Sequence, residues 1–314
     1  MQASSTLQAH SSLDQPIVHL TVVVLIIMFA ILVLVTVLVV VASIRFRHRA
    51  GAAEPEQNFG NAKLELTWTI LPFLLLVGIF AFTVVAMNAS DPDTTNADGS
   101  DPPPDIVAVG HQFWWEIRYP KAGVITANEF HLPVGQRMLM RLESADVIHD
   151  FWVPVLGRKM DIIPGHPNEM WVKADDAGTF LGTCAEFCGA EHAWMRIRVI
   201  SQAPAEFESW EKEQAQQPSA PTGSEAQQGA QLFRDMSCSN CHAISGVSTS
   251  SIGPDLTHIA SRETLAAGRL ENNPVNLEAW LHDPEKYKPA SNMPNANLTP
   301  TELSAMVAYL ETLR

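Results

Sequence analysis

The fold of this chain is decided by one stretch, Cys184-Ala-Glu186-Phe-Cys188-Gly-Ala-Glu-His192-Ala-Trp-Met195. It offers two thiolates, an imidazole and a thioether, which are soft donors that suit copper far better than magnesium or calcium. The spacings let a folded loop bring all four donors to one point. A single blue copper ion needs one Cys, two His and a weak Met, so the second Cys indicates two copper ions that share bridging thiolates.

The second imidazole that such a site needs has a candidate upstream, His149 in Val-Ile-His149-Asp-Phe-Trp-Val-Pro. The alternative is a disulfide between Cys184 and Cys188, which an oxidising compartment would permit. The Cys-x-x-x-Cys spacing alone favours the disulfide. The nearby His and Met donors shift the interpretation to copper.

A second chemical motif is Cys238-Ser-Asn-Cys241-His242. Two thiols in this spacing can add to the vinyl groups of haem, and the adjacent His then becomes an axial ligand of the iron. A zinc knuckle and a redox Cys-x-x-Cys motif are the alternatives. An amphipathic helix predicted over 226–236 and the following Gly253-Pro-Asp-Leu256 favour a c-type haem.

Two long apolar segments, 17–44 and 66–87, are each long enough to cross a bilayer as a helix. Four basic residues lie between them, whereas 1–16 and 88–105 contain no Lys or Arg; the four are Arg45, Arg47, Arg49 and Lys63. The positive-inside rule therefore predicts a cytoplasmic loop, with both termini on the other side of the membrane.

The rest of the chain changes character twice. Short β-type runs bounded by Gly, Pro, Asn or Asp begin at Ile106 and predict an all-β, cupredoxin-like domain of Greek-key type. A capping box at Thr299 and Glu302 begins an amphipathic helix in an all-α C-terminal region. The predicted segments are an N-terminal segment 1–16, a transmembrane hairpin 17–89, a linker 90–105, a copper domain 106–203, a short helix and flexible tether 204–223, and a helical domain 224–314.

The charge balance limits the partners. The chain has 314 residues and a formal net charge of −14 at pH 7. This balance argues against nucleic acid as a partner and favours a basic protein.

The copper loop, the upstream His and their flanking segments resemble subunit II of haem–copper oxidases, with its binuclear copper A centre. The resemblance implies that Cys184 and Cys188 bridge the two ions. It also implies the remaining ligands, with His149 and Met195 on one ion and His192 and the carbonyl of Glu186 on the other.

The last ninety or so residues are similar to a class I cytochrome c. This resemblance implies His242 as the proximal ligand and Met293, in Asn292-Met293-Pro294, as the distal ligand of haem c. His258 and His282 are rival distal ligands, and Met306 is expected in the core because it lies on the apolar face of its helix.

The combination of hairpin, copper domain and cytochrome resembles subunit II of a caa3-type cytochrome c oxidase. An electron would enter at the haem on Cys238 and Cys241, pass to the copper pair and continue to haem in subunit I, where oxygen becomes water and protons are pumped. The oxygen-reducing centre lies in another subunit. The implied partners are subunits I and III, a soluble basic cytochrome c or an upstream cytochrome complex as donor, and the lipid of a bacterial inner membrane.

Two carboxylates have roles that rest on the same resemblance. Glu65, at the start of the second span, would lie at the cytoplasmic mouth of a proton channel; the alternative is an interfacial carboxylate that marks where the span begins. The side chain of Glu186 would help to hold a Mg²⁺ or Mn²⁺ ion shared with subunit I.

The segment 110–115 resembles the aromatic patch over the copper site of the family. Phe113 stands where the family commonly has the Trp at which soluble cytochrome c delivers electrons. This departure argues against direct docking of a separate cytochrome c at that patch, and it is compatible with the tethered haem as the donor. Trp114 is expected to assist electron transfer, and Trp115 to pack in the core.

Two other functions stay open from the sequence. The same electron-input subunit could serve a nitric oxide reductase, although Glu65 argues against it. A free-standing membrane-anchored electron carrier needs no enzyme partner. A copper-delivery protein fits less well, because the ligand set is closed and a delivery protein has no use for a haem.

Overall fold

The structure, a computed structural model, describes residues 7–49, 51, 57, 59–95 and 100–314. The predicted N-terminal segment 1–16 and linker 90–105 are therefore covered in part, since 1–6 and 96–99 lie outside the described residues. The described residues divide into two compact units, one formed by those within 15–90 and one formed by those within 1–14 and 91–314.

The first unit is a pair of helices, α1 (Gln15–Arg45) and α2 (Ala62–Ser90), that pack against each other. Each helix extends past its predicted span by a few residues. Both are long and apolar enough to cross a membrane by length and composition. Their large apolar side chains are mostly exposed, as expected for helices whose solvent is lipid.

The second unit begins with ten strands in two five-stranded sheets. The strands are β1 (Ile106–His111), β2 (Trp114–Tyr119), β3 (Val124–Ala127), β4 (Glu129–Pro133), β5 (Met138–Ser144), β6 (His149–Trp152), β7 (Met160–Ile162), β8 (Asn168–Val172), β9 (Gly178–Cys184) and β10 (Arg196–Gln202). The sheet orders are β3-β2-β1-β5-β8 and β4-β10-β9-β6-β7.

Parallel pairing of β1 with β5 and of β4 with β10 shows that the strands do not simply follow each other around the sheets. Inward side chains of both sheets form one core, which includes Trp115, Phe130 and Phe151. The helix α3 (Pro204–Gln214) covers one side of this core through Phe207 and Trp210. The all-β, cupredoxin-like prediction is confirmed.

The C-terminal region is helical, as predicted. It contains α4 (Ser224–Asp235), α5 (Pro274–His282), α6 (Pro284–Tyr287) and α7 (Pro300–Leu310), with short strands β11 (Thr264–Leu265) and β12 (Leu270–Glu271). The Thr299 hydroxyl accepts from the backbone N–H of Glu302, and the Glu302 carboxylate accepts from the backbone N–H of Thr299. This capping box starts α7 as predicted, and Met306 is 1% exposed in the core between the helices.

The helical region contacts the β-domain directly, although no sequence pattern predicts this contact. The Glu129 carboxylate accepts hydrogen bonds from the backbone N–H of Glu263 (2.8 Å) and the hydroxyl of Thr264 (2.5 Å). Arg198 donates to Glu263 at 2.7 Å. The two domains therefore share one compact unit, although each has its own hydrophobic core.

Candidate functional site

The two sheets place the predicted copper donors at adjoining strand ends. His149 begins β6 and Cys184 ends β9, and these two strands pair with Phe151 opposite Cys184. The loop that follows closes where the backbone N–H of Cys184 donates to the carbonyl of Met195 at 2.9 Å. The β9–β10 ladder therefore anchors both ends of the copper loop.

The structure brings all the predicted copper donors together. Cys184 Sγ lies 3.9 Å from Cys188 Sγ, 3.8 Å from His149 Nδ1 and 3.2 Å from the carbonyl oxygen of Glu186. Cys188 Sγ lies 3.7 Å from His192 Nδ1 and 3.9 Å from Met195 Sδ. The alternative of a Cys184–Cys188 disulfide does not apply, because both thiols are free.

The chemistry of this donor set fits copper. Two thiols, two imidazoles and a thioether are soft or intermediate donors, and most of them are buried. Hydrogen bonding with Cys188, together with His149, lowers the pKa of Cys184 to about 3 against the opposing effect of burial. The same coupling and burial raise the pKa of Cys188. One thiol of the pair is thus already prepared to bind a cation.

His149 is oriented by the carboxylate of Asp146, a residue that belongs to no predicted motif. Its Nε2–H donates to Asp146 Oδ1 at 2.8 Å, which leaves Nδ1 facing Cys184. Burial lowers the pKa of His149, but the hydrogen bonds to Cys184 and Asp146 outweigh burial and raise it. The spacing of Asp146, three residues before the His, is the one sequence signal that could have identified it.

Gly110 allows β1 to approach this imidazole. A Cβ at Gly110 would lie 2.7 Å from His149 Cδ2, closer than carbon atoms pack. The His149 ring therefore has a fixed place between Gly110 and Asp146.

The backbone carbonyl and the side chain of Glu186 lie in different environments. Its backbone carbonyl points to Cys184 Sγ, whereas its side chain is exposed. That arrangement leaves the carboxylate free to meet a ligand outside the copper loop.

The Cys-x-x-Cys-His motif borders a cavity that is lined by residues of both the β-domain and the helical domain. Both predicted axial ligands, His242 and Met293, line it, as does Cys241. Cys238 packs against the neighbouring hydrophobic core. These residues fit a covalently bound haem.

The His242 ring is held in the tautomer that an axial ligand requires. Its Nδ1–H donates to the carbonyl of Pro254 at 2.7 Å, so the lone pair of Nε2 is free. Burial lowers the pKa of His242, which keeps the imidazole neutral. A Cβ at Gly253 would lie 2.6 Å from the His242 ring, so only glycine permits this approach.

The two rival distal ligands are placed elsewhere. The His258 ring donates from Nε2 to the carbonyl of Gln216 at 3.0 Å, and His282 is exposed. Neither residue lines the cavity.

The aromatic segment lies against this same cavity. Phe113 and Trp114 are each 8% exposed and both line the cavity together with residues of the helical domain. Trp114 stacks on His111 with ring centroids 4.2 Å apart. Trp115 is fully buried in the β-core, as predicted.

Glu65 has a local structural partner in the first unit. Its carboxylate accepts from the backbone N–H of Asn61 at 3.2 Å, just before α2 begins. This contact supports the start of the helix, and a role in proton entry stays a prediction.

Three family models match the chain. They are described as the transmembrane domain of cytochrome c oxidase subunit II over residues 1–85, its periplasmic domain over 123–202, and cytochrome c over 226–314. Together with the fold and the donor sets, they define a class: two-pass membrane proteins that carry a copper A domain and a fused cytochrome c for electron input to an oxidase.

Two relatives are both named "Cytochrome c oxidase subunit 2". The one from Alkalihalophilus pseudofirmus is 38% identical over 86% of this chain and 79% of its own length. The one from Bacillus subtilis is 35% identical over 86% of this chain and 81% of its own length. A solved periplasmic domain of oxidase subunit II from Bradyrhizobium japonicum is 35% identical, with a TM-score of 0.34, and covers 36% of this chain and 95% of that one.

The chain belongs to the cytochrome c oxidase subunit II family, in the caa3-type form with a C-terminal cytochrome c domain. It is the electron-input subunit of an oxidoreductase complex and associates with subunit I. Copper A and haem c are its implied cofactors.

Proposed function

We propose that this chain takes electrons at a haem held by Cys238, Cys241, His242 and Met293 and passes them to a copper pair. The copper ligands would be His149, Cys184, the Glu186 carbonyl, Cys188, His192 and Met195. The observation that carries this proposal is the cavity beside the haem motif, because residues of both domains line it.

Each donor set has its own task. The copper pair, when bound, supplies a one-electron centre that needs little reorganisation, and the haem supplies a second one-electron centre. The β9–β10 ladder fixes the copper loop, and Asp146 fixes the His149 ring. Pro254 fixes the His242 ring, and a Met distal ligand favours a fairly high haem potential.

The acceptor lies in subunit I. We propose that electrons continue from the copper pair to a haem of that subunit, where oxygen is reduced to water and protons are pumped. Subunit III completes the complex. The relatives' names favour an oxidase over a nitric oxide reductase or a free-standing carrier.

Two carboxylates extend the function beyond electron transfer. The exposed side chain of Glu186 would bind Mg²⁺ or Mn²⁺ together with ligands from subunit I. Glu65 would admit protons from the cytoplasmic side. Glu65→Gln tests the second role, because it should lower proton pumping while copper and haem contents stay normal.

The orientation follows from the charges. We place the basic loop in the cytoplasm and the N-terminus, copper domain and haem domain on the outer face of a bacterial inner membrane. The net charge of −14 favours a basic donor, either a small cytochrome c or an upstream cytochrome complex.

The experiment that tests this function is gas consumption by the membrane complex, purified through a tag on this chain and fed with reduced cytochrome c. Cyanide-sensitive oxygen uptake is expected. Uptake of nitric oxide without oxygen would overturn the oxidase assignment in favour of the reductase. A chain that purifies without a second haem protein and consumes neither gas would be a free-standing carrier.

A further inference from the structure

Gln112 makes three hydrogen bonds that connect three parts of the second unit. Its backbone N–H donates to Asp146 Oδ2 at 2.6 Å, and its side-chain Nε2–H donates to the carbonyl of Cys188 at 2.5 Å. Its own carbonyl accepts from the side-chain amide of Asn292 at 2.8 Å. Asn292 precedes Met293 in the chain. Gln112 therefore joins the copper loop to the loop that carries the predicted distal haem ligand.

A buried ion pair holds these two loops in register. Lys288 Nζ lies 3.0 Å from Glu191 Oε2 and also donates to the carbonyl of Phe113 at 3.0 Å. Lys288 is 5% exposed and Glu191 is 1% exposed. A buried charge is rarely tolerated without a well-placed partner, so this pair specifies one docked position of the helical domain.

We infer that Gln112 and Asn292 form the bridge for electron transfer from the haem to the copper pair. This inference rests on the proposed function. From Met293 the connection runs through the adjoining Asn292, across one hydrogen bond to Gln112, and across a second to Cys188. In the step, the ferrous haem is oxidised to ferric and the copper pair is reduced by one electron, and no bond is made or broken.

The aromatic residues beside the bridge are not part of this connection. Phe113 and Trp114 line the cavity, and each is 8% exposed. The backbone of Phe113 serves the ion pair through its carbonyl. Within the described residues, the hydrogen bonds between the copper-domain side and the loop that carries Met293 involve Gln112, Phe113 and Glu191. Of these three residues, only Gln112 also donates a hydrogen bond to a cysteine of the copper loop.

The test measures internal electron transfer in the purified full complex. A photoreductant injects one electron into the haem, and the near-infrared absorption of the copper pair reports its arrival. Gln112→Leu and Asn292→Leu each remove one hydrogen bond of the bridge, and each should slow the transfer at unchanged midpoint potentials. Gln136→Leu is the matched control, since Gln136 is exposed in the same domain.

The double variant separates a shared bridge from two independent contacts. Because the loss of either hydrogen bond already diverts the electron to another route, the double variant should transfer no more slowly than the slower single variant. The midpoint potentials and the copper and haem contents of each variant are measured alongside, so that a changed driving force is not mistaken for a broken bridge.

Three results would overturn the inference. The first is a wild-type rate in Gln112→Leu at normal potentials, and the second is a double variant whose slowing is the product of the two single effects. Should Gln112→Leu fail to bind copper, Asn292→Leu decides alone, because it touches only a backbone carbonyl of the copper domain; a wild-type rate there is the third. Absence of haem-to-copper transfer in the wild-type complex would instead refute the proposed function itself.

Discussion

Asp146 shows how far the copper site depends on residues that bind no metal. Its carboxylate accepts from the His149 ring and from the backbone N–H groups of Gln112 and Val147. Burial raises the pKa of Asp146, but these hydrogen bonds outweigh burial and lower it, so the group is ionised at neutral pH. An ionised carboxylate orients the imidazole and makes it a stronger ligand.

We expect Asp146→Ala to weaken copper binding by about 10- to 100-fold, because an imidazole without its partner loses orientation and basicity. Competition against a copper chelator in the purified complex measures the change. Asp101→Ala, an exposed carboxylate of the linker, is the control. Equal affinities in the two variants would mean that Gly110 and the strand alone hold the ring.

The identity of the distal haem ligand is tested by comparing two methionines. Met293 lines the haem cavity, whereas Met306 is packed in the core. Met293→His should lower the haem midpoint potential by a substantial part of the ~0.8 V range over which axial ligands set it. Met306→Leu should leave the potential unchanged. A redox titration of the complex distinguishes them, and a shift in Met306→Leu alone would reverse the assignment.

At the scale of elements, the helical domain depends on a close crossing between α4 and α7. A Cβ at Gly229 of α4 would lie 2.0 Å from the backbone carbonyl oxygen of Ala305 in α7. The obstacle is backbone, so the helices themselves must separate to admit a methyl group.

We therefore expect Gly229→Ala to destabilise the cytochrome domain by about 1–3 kcal/mol, the usual cost of overpacking. Thermal unfolding followed by the haem absorption measures this change, while copper binding should persist. Gln228→Ala adds no volume at the crossing because Gln228 is exposed, so it should unfold like the wild type. Similar unfolding of both variants would show that the helices can shift freely.

Elements with a strong local pattern were predictable from the sequence. The apolar spans, the capping box at Thr299 and the β-type runs that begin at Ile106 all have clear composition or periodicity. The short strand β7 was not predicted as a strand, because three residues carry too little alternation. Its position depends on its pairing with β6 and on the pairing of β6 with β9, and the second of these is a non-local contact.

The donor residues were also predictable, because soft ligands cluster in the chain. The residues that hold these donors in position were harder to predict. Gln112, Glu191 and Lys288 have no motif of their own, and their importance arises only when the two domains meet. The docking of the cytochrome on the copper domain could not be predicted from the sequence, since no local signal records a contact between distant segments.

At the scale of the whole molecule, the two electron-transfer steps should respond differently to salt. Delivery by a separate basic donor depends on long-range attraction to a chain of net charge −14, which salt screens. Transfer inside this chain depends on a domain contact whose ion pair is buried.

We therefore expect the second-order rate of reduction by a basic cytochrome c to fall steeply as ionic strength rises, while the internal haem-to-copper rate stays constant. Stopped-flow mixing and photoreduction, respectively, measure the two rates on the same preparation. If the rate of reduction by the donor does not change with ionic strength, the donor is held permanently in the complex. A salt-dependent internal rate would indicate that the helical domain detaches.

The near-complete burial of Phe113 and Trp114 has a consequence for competition. A tether of a few residues gives the attached cytochrome an effective concentration of about millimolar at its docking face. Other redox proteins at ordinary cellular concentrations cannot displace the attached cytochrome, so they do not exchange electrons directly with the copper pair. Electrons then enter the oxidase only through the haem of this chain, and the midpoint potential of that haem determines which donors can reduce it.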